Sequence, residues 1–233
     1  MGAMSRGFSE IYAKTRSTTK ANKSFLRGYS DLNYGDLFGR VERHVALFHK
    51  LGLRVGDRVV WSCEDDTETS AFFFATLLAG VTLVVMDPKA SIAEAVLLIA
   101  AAEPSAIFMD DEKSNDVLGS AEENGVPFYK IKKKSFVKNT FGLMRLKKHQ
   151  SEDYFPEIAS KLTPTTEPLG KVEDATAALI LFTSGTTSTP KGVVLTVQNV
   201  LAQQSAYLDQ FQLDEKSNIV NHLPLHHTDG LNM

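Results

Sequence analysis

Between residues 35 and 131 the chain alternates helical and strand patterns, and that alternation limits its possible folds more than any other feature. Gly35 to Leu51 places Leu37, Phe38, Val41, Val45, Phe48 and Leu51 at helical spacing, and Gly52 follows as a stop. Arg58 to Cys63 is a β-branched and aromatic run that reads as a strand. Asp66 is expected to cap a helix through Thr67 to Ala79, closed by Gly80. Val81 to Met86 reads as the next strand, stopped by Asp87-Pro88. Then follow a helix over Ile92 to Ala102, a strand over Ala106 to Met109, a helix over Val117 to Asn124 and a strand over Pro127 to Ile131. Strands separated by helices call for crossover connections, so the expected class is α/β, with parallel-type sheets flanked by helices. Such sheets hold ligands outside the carboxyl ends of their strands.

Composition sets broad limits. The 233 residues are 43% hydrophobic and 23% charged, ordinary for a chain with a packed core. The formal net charge of -3 gives no electrostatic case for nucleic acid as a partner. A lone cysteine, Cys63, excludes an internal disulfide; its apolar setting reads as a buried core thiol, and a reducing cytoplasm is the expected location. No apolar run reaches membrane-spanning length.

The alternation then stops. Residues 130 to 148 carry eight Lys or Arg and no acid, with Phe136, Phe141, Leu143 and Met144 between them. This basic insert reads as a solvated surface excursion; the competing reading is a patch for an anionic lipid or a nucleotide-bearing thiol. The expected divisions are an N-terminal segment over 1–31, a first α/β subdomain over 32–150 and a Pro- and Thr-rich connector over 151–173. Residues 174–233 then read as the start of a second α/β subdomain. The chain stops at Asp229-Gly230-Leu231-Asn232-Met233 without a polar tail, which reads as an incomplete unit.

The chemistry is expected in that last part. Ala177 to Phe182 is a short apolar strand, followed by Thr183-Ser184-Gly185-Thr186-Thr187-Ser188-Thr189-Pro190-Lys191-Gly192, a second strand over Val193 to Thr196, and a helix from Asn199 toward Phe211. Six of the first seven loop residues carry hydroxyls. Hydroxyls donate to phosphate oxygens without adding repulsive charge, Gly185 lets successive N–H groups converge on an anion, and Lys191 supplies a cation. The loop is not the common P-loop, because Pro190 and Gly192 flank the lysine where that motif has Gly and Ser or Thr. Residue types alone leave a polar hairpin turn open as the alternative.

The order of residues adds to this. Thr-Ser-Gly-Thr-Thr-x-x-Pro-Lys-Gly resembles the phosphate-loop signature of the adenylate-forming superfamily, which includes acyl-CoA synthetases, fatty acyl-AMP ligases, luciferases and peptide-synthetase adenylation domains. Leu32-Asn33-Tyr34-Gly35-Asp36-Leu37 and Leu51-Gly52-Leu53-Arg54-Val55-Gly56-Asp57-Arg58-Val59 are similar to the opening helix and following turn of that family. Phe74 to Asp87 is similar to its next helix and strand, and Leu223-Pro224-Leu225-His226-His227-Thr228-Asp229-Gly230 to its Pro-x-x-His-x-x-Gly segment. Two positions depart from the pattern: Ser188 stands where Gly is frequent, and Val197 where His is common.

The resemblance implies the N-terminal part of an acyl-CoA synthetase-like ligase that uses ATP and Mg²⁺ to turn a carboxylic acid, fatty or other, into acyl-AMP. It implies CoA as the thiol acceptor, with an acyl carrier protein as the alternative, and a non-catalytic nucleotide-binding fragment as a further alternative. Thr183, Ser184, Gly185, Thr186, Thr187 and Lys191 would hold the phosphates, Lys191 also acting in catalysis, and His227 would lie beside the reacting carboxylate. Peptide-synthetase domains usually have Asp at the position of His227, so the resemblance points to an acid without an α-ammonium group. His226 reads as a neighbour that packs. The family's adenine, ribose and Mg²⁺ ligands and its C-terminal lysine find no counterpart within residues 1–233, and no residue here is assigned to a metal.

Overall fold

A computed structural model describes residues 7–27, 31–110, 117, 125–131, 136–138, 144–146, 155–183, 190–226 and 230. Helix α1 (Phe8–Thr18) and a small antiparallel pair, β1 (Ser24–Leu26) and β2 (Leu32–Asn33), lead into α2 (Tyr34–Lys50). The alternation follows as β3 (Arg58–Ser62), α3 (Asp66–Ala79), β4 (Thr82–Val85), α4 (Ile92–Ala102), β5 (Ala106–Asp110) and β6 (Phe128–Ile131). A hairpin of β7 (Phe136–Lys138) and β8 (Met144–Leu146) lies within the basic insert. Helix α5 (Phe155–Ser160), β9 (Ala177–Thr183), β10 (Lys191–Thr196) and α6 (Val197–Phe211) complete the order. The helix expected over Val117 to Asn124 falls outside the described residues except for Val117.

Local chemistry explains most boundaries. Asn33 caps α2 by accepting from the Asp36 N–H, and Ser91 caps α4 through the Glu94 N–H. The cap of α3 is Asp65 rather than Asp66: its carboxylate accepts from the N–H groups of Thr67 and Glu68 at 2.9 and 3.2 Å. Asp66 instead occupies the first turn, where a carboxylate favours the positive end of the helix. Helix α6 starts earlier than expected, because Thr196 and Asn199 form a reciprocal capping box. Helix α1 has no counterpart in the sequence reading. It is held by Tyr12, whose ring meets Phe38 edge-on, and by Arg16, whose guanidinium pairs with the buried Glu42 of α2.

The strands form a six-stranded sheet in the order β10-β9-β4-β3-β5-β6. Strands β9, β4, β3, β5 and β6 run parallel and β10 is antiparallel to β9. The strands around the phosphate loop, read from sequence as opening a second sheet unit, thus join the first sheet, β9 pairing with β4 through Leu83↔Leu179, Val84↔Ile180 and Val85↔Leu181. Side chains alternate between two cores. Val59, Trp61, Leu83, Val85, Phe108 and Leu179 pack with α2 and α3. Val60, Val84, Ile107 and Met109 pack with α4. Burial on both faces explains why these strands read as continuous apolar runs. On the outer edge, Val193 and Val194 of β10 are about half exposed.

Helix α3 ends at Gly80 with φ 81°. A Cβ there would stand 2.7 Å from Val172 Cγ2 and 3.1 Å from Val55 Cγ2, so the site needs glycine for conformation and for space. Gly80→Ala should destabilise the fold by about 1–3 kcal/mol, read as a lower urea midpoint at unchanged slope. An unchanged midpoint would show that this turn adapts without cost.

Candidate functional site

Parallel pairing gathers the strand ends on one side of the sheet. The carboxyl ends of β3, β4, β5 and β9 lead into Cys63-Glu64, Met86-Asp87, Asp110 and Thr183 respectively. Strand β10 runs the other way, so its first residue, Lys191, sits opposite Thr183. The hydroxyl-rich loop therefore joins two strand ends at the edge where open α/β sheets hold ligands. Thr183 ends β9, Pro190 is half-buried and Lys191 is exposed. Ser184, Gly185, Thr186 and Thr187 lie outside the described residues, as does His227.

Asn221 to His226 returns over the same edge and, with Cys63, Glu64, Asp66, Pro88 and Lys89, encloses a cavity of about 360 Å³. The last residue of the Pro-x-x-His-x-x-Gly segment packs directly on its first. A Cβ on Gly230 would lie 2.7 Å from the Pro224 carbonyl carbon and 2.9 Å from Leu223 O, which only glycine avoids. Asn221 fastens this loop at both ends: its Nδ2 donates to Gly230 O and its Oδ1 accepts from the Leu223 N–H, each at 2.9 Å. Nothing in the sequence reading marked Asn221, because an isolated Asn before a Pro-containing segment carries no motif of its own.

Two titratable groups lining the cavity have displaced pKa values. Burial pushes the Cys63 thiol well up, and the Asp110 carboxylate adds to this. Cys63 is thus a protonated core thiol at neutral pH, as its apolar setting suggested, and no nucleophile. Burial also raises the Asp66 carboxyl, with Asp65 adding to the effect and His226 opposing it. His226 does more than pack, since its Nε2 stands 3.5 Å from Asp87 Oδ1. Among the described residues there is no group of three or more His, Cys, Asp or Glu that could hold a metal ion. No helix among them is long and apolar enough to cross a membrane.

Comparison with known proteins agrees with this geometry. Over 199 residues the chain is 28% identical to the crotonobetaine/carnitine–CoA ligase of Salmonella paratyphi A, covering 82% of this chain and 35% of that ligase. Over 179 residues it is 27% identical to an L-proline–[L-prolyl-carrier protein] ligase of Streptomyces coelicolor, covering 77% of this chain and 32% of the relative. The chain thus spans about a third of the length of these curated relatives. The crystal structure of ATP-bound MatB from Rhodopseudomonas palustris shares the fold, with a TM-score of 0.75 at 22% identity over 96% of this chain and 42% of that one. The AMP-binding enzyme family matches residues 13–233, from α1 through the hydroxyl-rich loop to the Pro-x-x-His-x-x-Gly segment, and the chain belongs to that family.

Proposed function

We propose that this chain supplies the phosphate-holding part of an enzyme that activates a carboxylic acid with ATP. The observation that carries the reading is the placement of the hydroxyl-rich loop. Its two ends, Thr183 and Lys191, stand at the carboxyl edge of a parallel sheet, with the cation paired in register to the first hydroxyl residue. In the reaction a carboxylate oxygen attacks the α-phosphorus of ATP, an acyl-phosphate bond forms, and the bond to the β-phosphate oxygen breaks to release pyrophosphate. Loop hydroxyls and N–H groups of Thr183, Ser184, Gly185, Thr186 and Thr187 would donate to the β- and γ-oxygens. Lys191 would offset the charge that builds on the leaving group.

His227 would shape the acyl site from the segment that Asn221 closes. With His at this position, the preferred substrate is an acyl or aryl acid without an α-ammonium group. The acyl-AMP would pass to a thiol, CoA being the preferred acceptor and a carrier protein the alternative. Relatives of both kinds support this pair: one is named a CoA ligase and one a carrier-protein ligase.

Acid-dependent ATP–pyrophosphate exchange, in the longest polypeptide that carries this sequence, tests the reading across fatty, aryl and short polar acids. Exchange driven by none of them would contradict it. In that polypeptide Lys191→Ala should raise the barrier by about 2–4 kcal/mol, as expected for loss of one preorganised contact to developing charge. Wild-type rates of acid-dependent pyrophosphate release would remove Lys191 from the site. His227→Ala should weaken use of the acid more than affinity for ATP, read from the two KM values. Weaker ATP binding with unaltered acid dependence would place His227 on the nucleotide instead.

A further inference from the structure

After α6 the chain runs from Gln212 to His226 without helix or strand, and His227 follows in sequence. Its ties to the body of the fold include the packing of Leu225 against the core shared with α2 and α3, and the approach of His226 to Asp87. The His226 side chain is 18% exposed and that of Asp87 46%. Asp87 is held before the imidazole reaches it. Its Oδ1 accepts from the Lys89 N–H at 2.7 Å, and its carbonyl accepts from the Ala90 N–H at 3.0 Å. The turn it sits in is anchored to the sheet, because the Met86 N–H donates to Trp61 O at 3.0 Å. Asp66, in the first turn of α3, also lines the cavity and is stabilised as a carboxylate by His226.

We propose that Asp87 is a positioning residue: with Asp66 it holds the His226 imidazole over the ends of β3 and β4, and so sets the segment that presents His227. The importance of His227 rests on the acid-activating reading above; the contact itself does not. A separation of 3.5 Å is long for a hydrogen bond and suits a charge contact, so its strength depends on a proton on the imidazole. The charged groups set against His226 include Asp87 from the turn after β4 and Asp66 from α3, and Glu64, Cys63, Lys89 and His222 line the same cavity. The nearest carboxylates favour the protonated imidazole. The contact is therefore strongest with the imidazole protonated.

Proton–carbon NMR titration of the histidines in the 233-residue chain tests this, with His226→Gln assigning the resonance. Asp87→Asn is expected to lower the His226 titration midpoint by removing a facing carboxylate, a modest shift because solvent screens the half-exposed carboxylate. Asn keeps an acceptor for the Lys89 N–H, so the variant should fold; Asp66→Asn offers a second variant with a shift in the same direction. The backbone N–H groups of Asn221, His222, Leu223, Leu225 and His226 should move with the His226 titration in the parent chain and lose that movement in Asp87→Asn. A His226 titration unaffected by either substitution would overturn the pairing, and silent amides would overturn the positioning role. The titration needs neither ATP nor acid, so it stands or falls separately from pyrophosphate exchange.

Discussion

The parallel pairing of β9 with β4 decides where the two ends of the hydroxyl-rich loop stand in this chain. It carries a strand from late in the sequence to the side of the first β/α units and aligns its carboxyl end with theirs. The Thr82 hydroxyl reinforces the join by donating to Ala177 O at 2.8 Å. The basic insert and connector both lie between the paired strands in sequence. Closing so long a loop costs only slowly more with length, so an excursion of that size is compatible with the pairing. With β9 in place, Thr183 and Lys191 stand on the same edge as the turns after β3 and β4.

What holds the sheet is mainly apolar. Trp61 of β3 stacks on Phe72 of α3 with centroids 4.0 Å apart, and Phe72 also meets Phe48 edge-on and touches Phe108. Truncating a buried ring of this kind costs about 3–5 kcal/mol, whereas an exposed pair such as Arg58–Glu103 contributes under about 1 kcal/mol. Polar ties between α2 and α3 belong to a different class. Glu68 accepts from Arg40 at 2.8 Å and contacts the buried His44 at 2.9 Å, satisfying groups whose burial would otherwise be costly.

The sequence made the β/α order and the strands that flank the hydroxyl-rich loop legible because both are written in local chemistry. Apolar spacing marks the helices, and Gly80 marks an end that only positive φ can make. Where two residues offered the same chemistry, as Asp65 and Asp66 do, the sequence did not say which carboxylate would reach the free N–H groups. The sheet partner of residues 177–183 was not legible either, since a buried apolar strand carries little information about its neighbour. The same holds for Asn221 and for the Asp87–His226 contact: each matters through a partner brought near only by folding.

The central claim is that the loop from Thr183 to Lys191 receives the phosphates of ATP. Titrating ATP into the isotope-labelled 233-residue chain and following its backbone amides by NMR tests that claim most directly. The account predicts that the largest shifts fall between Thr183 and Gly192, that inorganic pyrophosphate reproduces them, and that adenosine does not. Shifts concentrated elsewhere, or equal responses to adenosine and ATP, would contradict it.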